Sequence, residues 1–191
     1  MILLVLLLMG APVLALEADK NLDFSLKAND VALIIGGDST QDLFFPTLSL
    51  AYKTLSENGL PPDHIAVVTP QAFDFNGDGQ NDEVFEPSPS AVLAALLSLS
   101  IVRQHDSQLI VFVKSHGSDC AGEFKIELSA KNNHRLTAKE LGTFIDLVGF
   151  SESRQLIVID SCYGRVSDPR SKQVQGSFEE FSTVGATANS L

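Results

Sequence analysis

Four short apolar runs constrain this chain more than any other feature: Val31–Ile35, His64–Thr69, Leu109–Val113 and Leu156–Ile159. Each is rich in Val, Ile and Leu and close to continuous, the pattern of a strand buried on both faces. Helical patterns lie between them. Phe44, Leu48, Ala51, Tyr52 and Leu55 recur at helical spacing, with Pro46 suited to the first turn and Asn58-Gly59 to a stop. Ser88-Pro89 opens a second helix, in which Leu93, Leu96, Leu97 and Ile101 are expected to share one face. Thr137-Ala-Lys-Glu140 is a capping box for a third, carrying Leu141, Phe144, Ile145 and Val148. Strands alternating with helices predict an α/β fold, a mostly parallel sheet with right-handed crossovers and helices on both faces. Three smaller expectations complete the outline. Alternating Phe124, Ile126 and Leu128 predict a small exposed strand or hairpin, residues 163–181 read as loop, and Ser182–Ala186 reads as a fifth strand.

The chain of 191 residues is 45% apolar, enough for one domain with one core. Its 13 Lys and Arg against 24 Asp and Glu give a formal charge of −11. That excess of anions, with no basic run, argues against nucleic acid as a partner. Residues Met1–Leu8 are wholly apolar, and the apolar stretch reaches Leu16 before Glu17, Asp19 and Lys20. It is too short for a comfortable membrane span. Residues 1–15 therefore read as a secretory signal peptide cleaved after Ala15, with a site near Ala18 as second choice. This predicts a secreted or periplasmic protein that meets no membrane after cleavage. A buried first strand or an uncleaved anchor is the other reading of the same run. Residues 16–191 are then one domain.

In parallel sheets, chemistry collects at the carboxyl ends of the strands. The third run leads straight into Lys114-Ser115-His116-Gly117, and the fourth into Asp160-Ser161-Cys162-Tyr163-Gly164. On one sheet edge, His116 and Cys162 can face each other. A nearby imidazole helps a thiol become a thiolate nucleophile. Gly117 leaves its backbone open to a carbonyl, and its N–H with that of Cys162 can form an oxyanion hole. No G-x-S-x-G elbow accompanies Ser115 or Ser161, and there is no H-E-x-x-H motif or P-loop. His64, His105 and His134, at a strand start or in polar loops, suit structural roles.

The motifs VFVKSHGS and LIVIDSCYG, each an apolar strand followed by His-Gly or by Asp-Ser-Cys, resemble the caspase-like cysteine peptidases: caspases, metacaspases, legumains, gingipains and clostripain. The resemblance covers roughly residues 31–190, and the interval from His116 to Cys162 is similar to the roughly 50 residues of caspases. It implies a caspase-like sheet and a cysteine endopeptidase that hydrolyses protein or peptide substrates. Cys162 would attack the carbonyl to form a thioester, with His116 as general acid and base. Asp160 would line the primary specificity pocket, favouring Arg or Lys at the cleaved position, or Asn as in legumains. Tyr163 stands where the group often has His or Glu, and FSTVGATANSL, just before Leu191, resembles the next strand. A fold truncated at its C-terminus is therefore expected, and the alternative is an inactive caspase-like binding or scaffold domain stabilised by calcium.

Two further features bear on function. Asp74, Asn76, Asp78 and Asp82 stand at positions one, three, five and nine of a calcium-type loop, with the Gln80 carbonyl at seven and Gly79 at the turn. The acidic insertion 73–87 lacks the Glu of an EF-hand at position twelve, where Phe85 stands, and is more similar to dockerin loops. Calcium there would be structural; catalysis needs no cofactor. A solvated acidic turn is the alternative. In an oxidising compartment the two cysteines, Cys120 and Cys162, also invite a disulfide, which would remove the nucleophile.

Overall fold

The computed structural model describes residues 25–37, 44–120, 123–129, 131–161, 173–177 and 183–187. The proposed signal segment and Cys162 lie outside the described residues. The four apolar runs form β1 (Val31–Gly36), β2 (Ile65–Val68), β3 (Leu109–Lys114) and β7 (Gln155–Asp160). They make one all-parallel sheet in the order β2-β1-β3-β7. The chain moves outward from β1 to β2, then crosses back over β1 to place β3 on its other side. The order therefore reverses between β1 and β3, the point beyond whose carboxyl ends open α/β sheets commonly bind ligands.

Helices cover both faces, as the alternation of elements requires. α1 (Phe45–Glu57) carries Pro46 in its first turn and ends before Gly59, whose φ of 97° suits glycine. Its Phe45, Leu48, Ala51 and Tyr52 pack on Ala32, Ile34, Val67, Ile110, Phe112 and Val158. α2 (Pro89–Val102) starts where the Ser88 hydroxyl accepts the Ala91 N–H at 3.0 Å. α3 (Ala138–Leu147) starts at the complete Thr137/Glu140 capping box. Together α2 and α3 cover the opposite side chains, among them Leu33, Ile35, Val111, Val113 and Ile159.

The expected face of α2 holds for Leu96, which is buried, and for Leu93, which packs partly buried on the same core, and is corrected for Leu97 and Ile101. Val92, Ala95, Leu96 and Leu99 point inward, while Leu97 is exposed and Ile101 is 83% exposed. This helix is apolar nearly all round, so spacing alone cannot select its buried side.

The small hairpin is a meander of β4 (Gly117–Cys120), β5 (Glu123–Ser129) and β6 (His134–Thr137). It was expected to be exposed, but Ile126, Leu128 and Leu136 are fully buried in the core beside α2 and α3. Its alternation is that of a sheet with one wet face and one dry face. The segment expected to be loop contains β8 (Gln173–Ser177), paired antiparallel with β9 (Thr183–Thr187). Gln-Val-Gln-Gly-Ser has no apolar run, so backbone pairing forms this strand without a hydropathy signal. β9 falls on the expected fifth strand and lies alongside β7. Among the described residues, no helix is long and apolar enough to cross a membrane.

Candidate functional site

β3 and β7 are direct neighbours over their whole length, from Leu109 opposite Gln155 to Lys114 opposite Asp160. The ladder continues past the strand ends, where the Ser115 N–H donates to the Asp160 carbonyl at 3.3 Å. The two motif-bearing segments therefore leave the same edge side by side. β1 closes the other flank: Gly36 is opposite Lys114, and the Gly37 N–H donates to the Lys114 carbonyl at 3.0 Å.

Strand alternation sorts the side chains at this edge. Lys114 and Asp160 follow Phe112 and Val158 by two residues, so they share the α1 face of the sheet. There the Lys114 ammonium donates to Asp160 Oδ2 at 2.5 Å. The side chains are 22% and 8% exposed, so this pair is largely withdrawn from water. Phe44, the residue before α1, holds the cluster from above. Its ring centroid is 5.6 Å from Lys114 Nζ and 5.2 Å from the His116 imidazole, which it meets edge-on. His116 is half-buried on that aromatic surface.

Ser115 points the other way and is structural. It is buried, and its hydroxyl donates to the Glu127 carbonyl, tying β5 to the sheet edge. The Glu127 N–H returns a bond to the His116 carbonyl at 2.9 Å. The backbones approach so closely that only glycine fits beside them. A Cβ on Gly37 would stand 1.9 Å from Ser115 Oγ and 2.1 Å from the Glu127 carbonyl oxygen. This network fixes the backbone on either side of His116. Gly117 follows as the first residue of β4, opposite Ile126. Ser161 is buried, and its hydroxyl has no hydrogen-bond partner.

The structure thus brings His116, Gly117 and Asp160 to one edge, while Cys162 lies outside the described residues. It adds two residues that the sequence reading passed over, Lys114 and Phe44. A usable signal was present for Lys114: opposite charges closing two strands expected to be neighbours. In the sequence, Phe44 fits only the pattern of a helix face. Two other histidines have the structural roles expected of them. The His64 ring nitrogen Nδ1 lies 2.9 Å from the Asp30 carbonyl, and that of His134 lies 3.0 Å from the Pro87 carbonyl.

The acidic loop sits on the α1 face, anchored by Phe75, which meets Tyr52 with ring centroids 5.8 Å apart. Its acidic side chains accept bonds from their own loop. Asp74 takes the N–H groups of Gly77, Asp78 and Gly79 at 2.6, 3.1 and 2.8 Å. Asp82 takes those of Phe75 and Asn76 at 2.7 and 3.2 Å. The Asn76 amide nitrogen lies between Asp78 Oδ2 at 3.3 Å and Asp82 Oδ1 at 2.8 Å. Gly77 and Gly79, with φ of 80° and 89°, make the turns. Among the described residues, no three His, Cys, Asp or Glu side chains converge closely enough to hold a metal as they stand. Nearby, burial first, and then the charges of Asp82 and Asp78, raise the pKa of Tyr52 above 10.0.

Compared with known proteins, the chain matches no family model and no curated protein.

Proposed function

We propose that this chain is an exported cysteine endopeptidase of caspase-like architecture, with Cys162 as nucleophile and His116 as general acid and base. The register of β3 against β7 carries the reading. His116 follows Lys114 by two residues, Cys162 follows Asp160 by two, and Lys114 and Asp160 are cross-strand partners. The thiol proton passes to the imidazole as sulfur attacks the peptide carbonyl. The same imidazole then protonates the departing amine, and water hydrolyses the thioester. The N–H groups of Gly117 and Cys162 would receive the oxyanion. Asp160 faces the substrate side chain.

A thiol-directed alkylator tests this at neutral pH. Cys162 should react selectively and much faster than Cys120, and His116→Ala should abolish the difference. Equal, sluggish labelling of both cysteines would favour the second reading, a non-catalytic domain of the same fold. One observation leans toward that rival: the carboxylate nearest the motifs is already engaged by Lys114.

The proposal includes a structural calcium ion in the loop of Asp74, Asn76, Asp78, Gln80 and Asp82. Support comes from the donor set and from the Asn76 amide, which bridges Asp78 and Asp82 where a cation would draw their oxygens together.

A further inference from the structure

The Lys114–Asp160 pair changes what the acidic end of the site can recognise. Asp160 alone would attract a cationic substrate side chain. Its charge is already matched by an ammonium group at 2.5 Å, and that ammonium also lies over the Phe44 ring. A substrate Lys or Arg would bring a second cation beside the first, against a carboxylate whose charge is already matched, so it gains little. A side-chain carboxamide meets no such conflict. Lys114 has three N–H donors and spends one on Asp160, and a carboxylate accepts on both oxygens. The pair therefore offers a donor beside an acceptor, the complement of an amide C=O and NH₂.

We propose that Lys114 is the specificity-determining residue of this site: an internal cation that shuts out Lys and Arg and selects an uncharged, carboxamide-bearing side chain. This rests on the reading of Asp160 as substrate-facing. The position of Lys114 is set by the sheet, as the last residue of β3, held between Gly36 and Asp160. The selectivity is thus built into the register and needs no separate loop.

The test uses agmatine, an arginine side chain without its peptide, as a binding probe on Cys162→Ala protein. Turnover is then not required. Lys114→Met should bind agmatine at least tenfold more tightly than protein retaining Lys114. Lys114→Arg should show no gain, and Lys114→Met combined with Asp160→Asn should lose it. Equal agmatine affinity with and without Lys114 would overturn the proposal. On the unmodified chain, a peptide panel should favour Asn or Gln over Arg or Lys at the cleaved position by at least tenfold. This arm decides the matter even if Lys114→Met fails to fold, because a preference for Arg or Lys there refutes the proposal. Failure of the peptidase reading would look different: no cleavage of any peptide and no selective labelling of Cys162, while the agmatine comparison still reports on Lys114.

Discussion

The carboxyl edge of β3 and β7 and the acidic loop 73–87 are both rich in polar side chains, but their bonds run in opposite directions. At the sheet edge, partners are distant in sequence: Lys114 meets Asp160, 46 positions away, and Ser115 meets Glu127, 12 away. The groups are buried or half-buried and are fixed by strand register. In the loop, every bond of Asp74, Asn76, Asp78 and Asp82 described above closes within seven residues, mostly onto backbone N–H groups in an exposed turn. A self-satisfied turn holds its own shape. A constellation built across strands brings together groups that the chain could not otherwise unite, and it does so where an apolar sheet lowers the local dielectric.

The largest effect expected from that difference is on chemistry at the edge. Removing the imidazole with His116→Ala should lower peptide turnover by about 10²- to 10⁴-fold, the range for loss of a general acid–base group. Asp74→Ala, in the loop, should leave turnover within about twofold, since it changes only the support of an exposed turn. Steady-state cleavage of one peptide by both variants makes the comparison. Comparable losses would mean that the loop belongs to the working site.

Next is the ion pair. Lys114→Met leaves the Asp160 carboxylate buried without its partner, and breaking such a pair costs about 3–5 kcal/mol. Lys114→Met with Asp160→Asn removes both charges and should recover most of that stability. Urea unfolding of the two variants measures the difference. A loss under about 1 kcal/mol for Lys114→Met would show the pair to behave as an exposed surface bridge.

The sheet and the site were unequally legible in the sequence. The four central strands are written as unbroken apolar runs, and the capped starts of α2 and α3 are written as Ser88-Pro89 and Thr137-x-x-Glu140. Local rules decide such features. The inward face of α2 was only partly legible, because Leu97 and Ile101 are as apolar as the residues actually buried. β8 was not legible because its stability comes from pairing with β9, a tertiary event with no hydropathy signature. At the site, His116 could be named from its position after an apolar run, and Asp160 through the motif resemblance. Lys114 was half-legible: a lysine and an aspartate close two strands expected to be neighbours, and the register adds that residue 114 stands opposite residue 160. Phe44 required the three-dimensional approach of α1 to that edge.

A smaller effect concerns the loop and the calcium ion proposed for it. If calcium at a hundred times its Kd stabilises the native state, linkage sets the gain at about 2.7 kcal/mol. Thermal unfolding in millimolar calcium and in excess chelator should therefore differ by several degrees. Asp74→Ala should remove the difference and cost on the order of 1 kcal/mol by itself, as loss of a side-chain cap does. An unchanged Tm in chelator would leave the loop as a solvated acidic turn. The edge cluster should be indifferent to chelator, because its charges are paired within the chain.

The smallest effect reads the same loop through Tyr52. Burial, and secondarily the carboxylates of Asp82 and Asp78, raise its pKa from 10.0. The folded state therefore disfavours the phenolate. The stabilisation is fully present below the unfolded pKa near 10, and it is lost as pH rises through the higher folded value. Tyr52→Phe should accordingly flatten the alkaline fall in stability above about pH 10 and leave stability near neutrality governed by packing alone. Calcium gives this titration its diagnostic use. An ion drawn between Asp78 and Asp82 would cancel the electrostatic part of the shift but not the part due to burial. Tyrosinate absorbance should then begin at lower pH with calcium than with chelator, while remaining above that of an exposed tyrosine. A titration that calcium does not move would separate Tyr52 from any ion in the loop, even where the melting temperature responds.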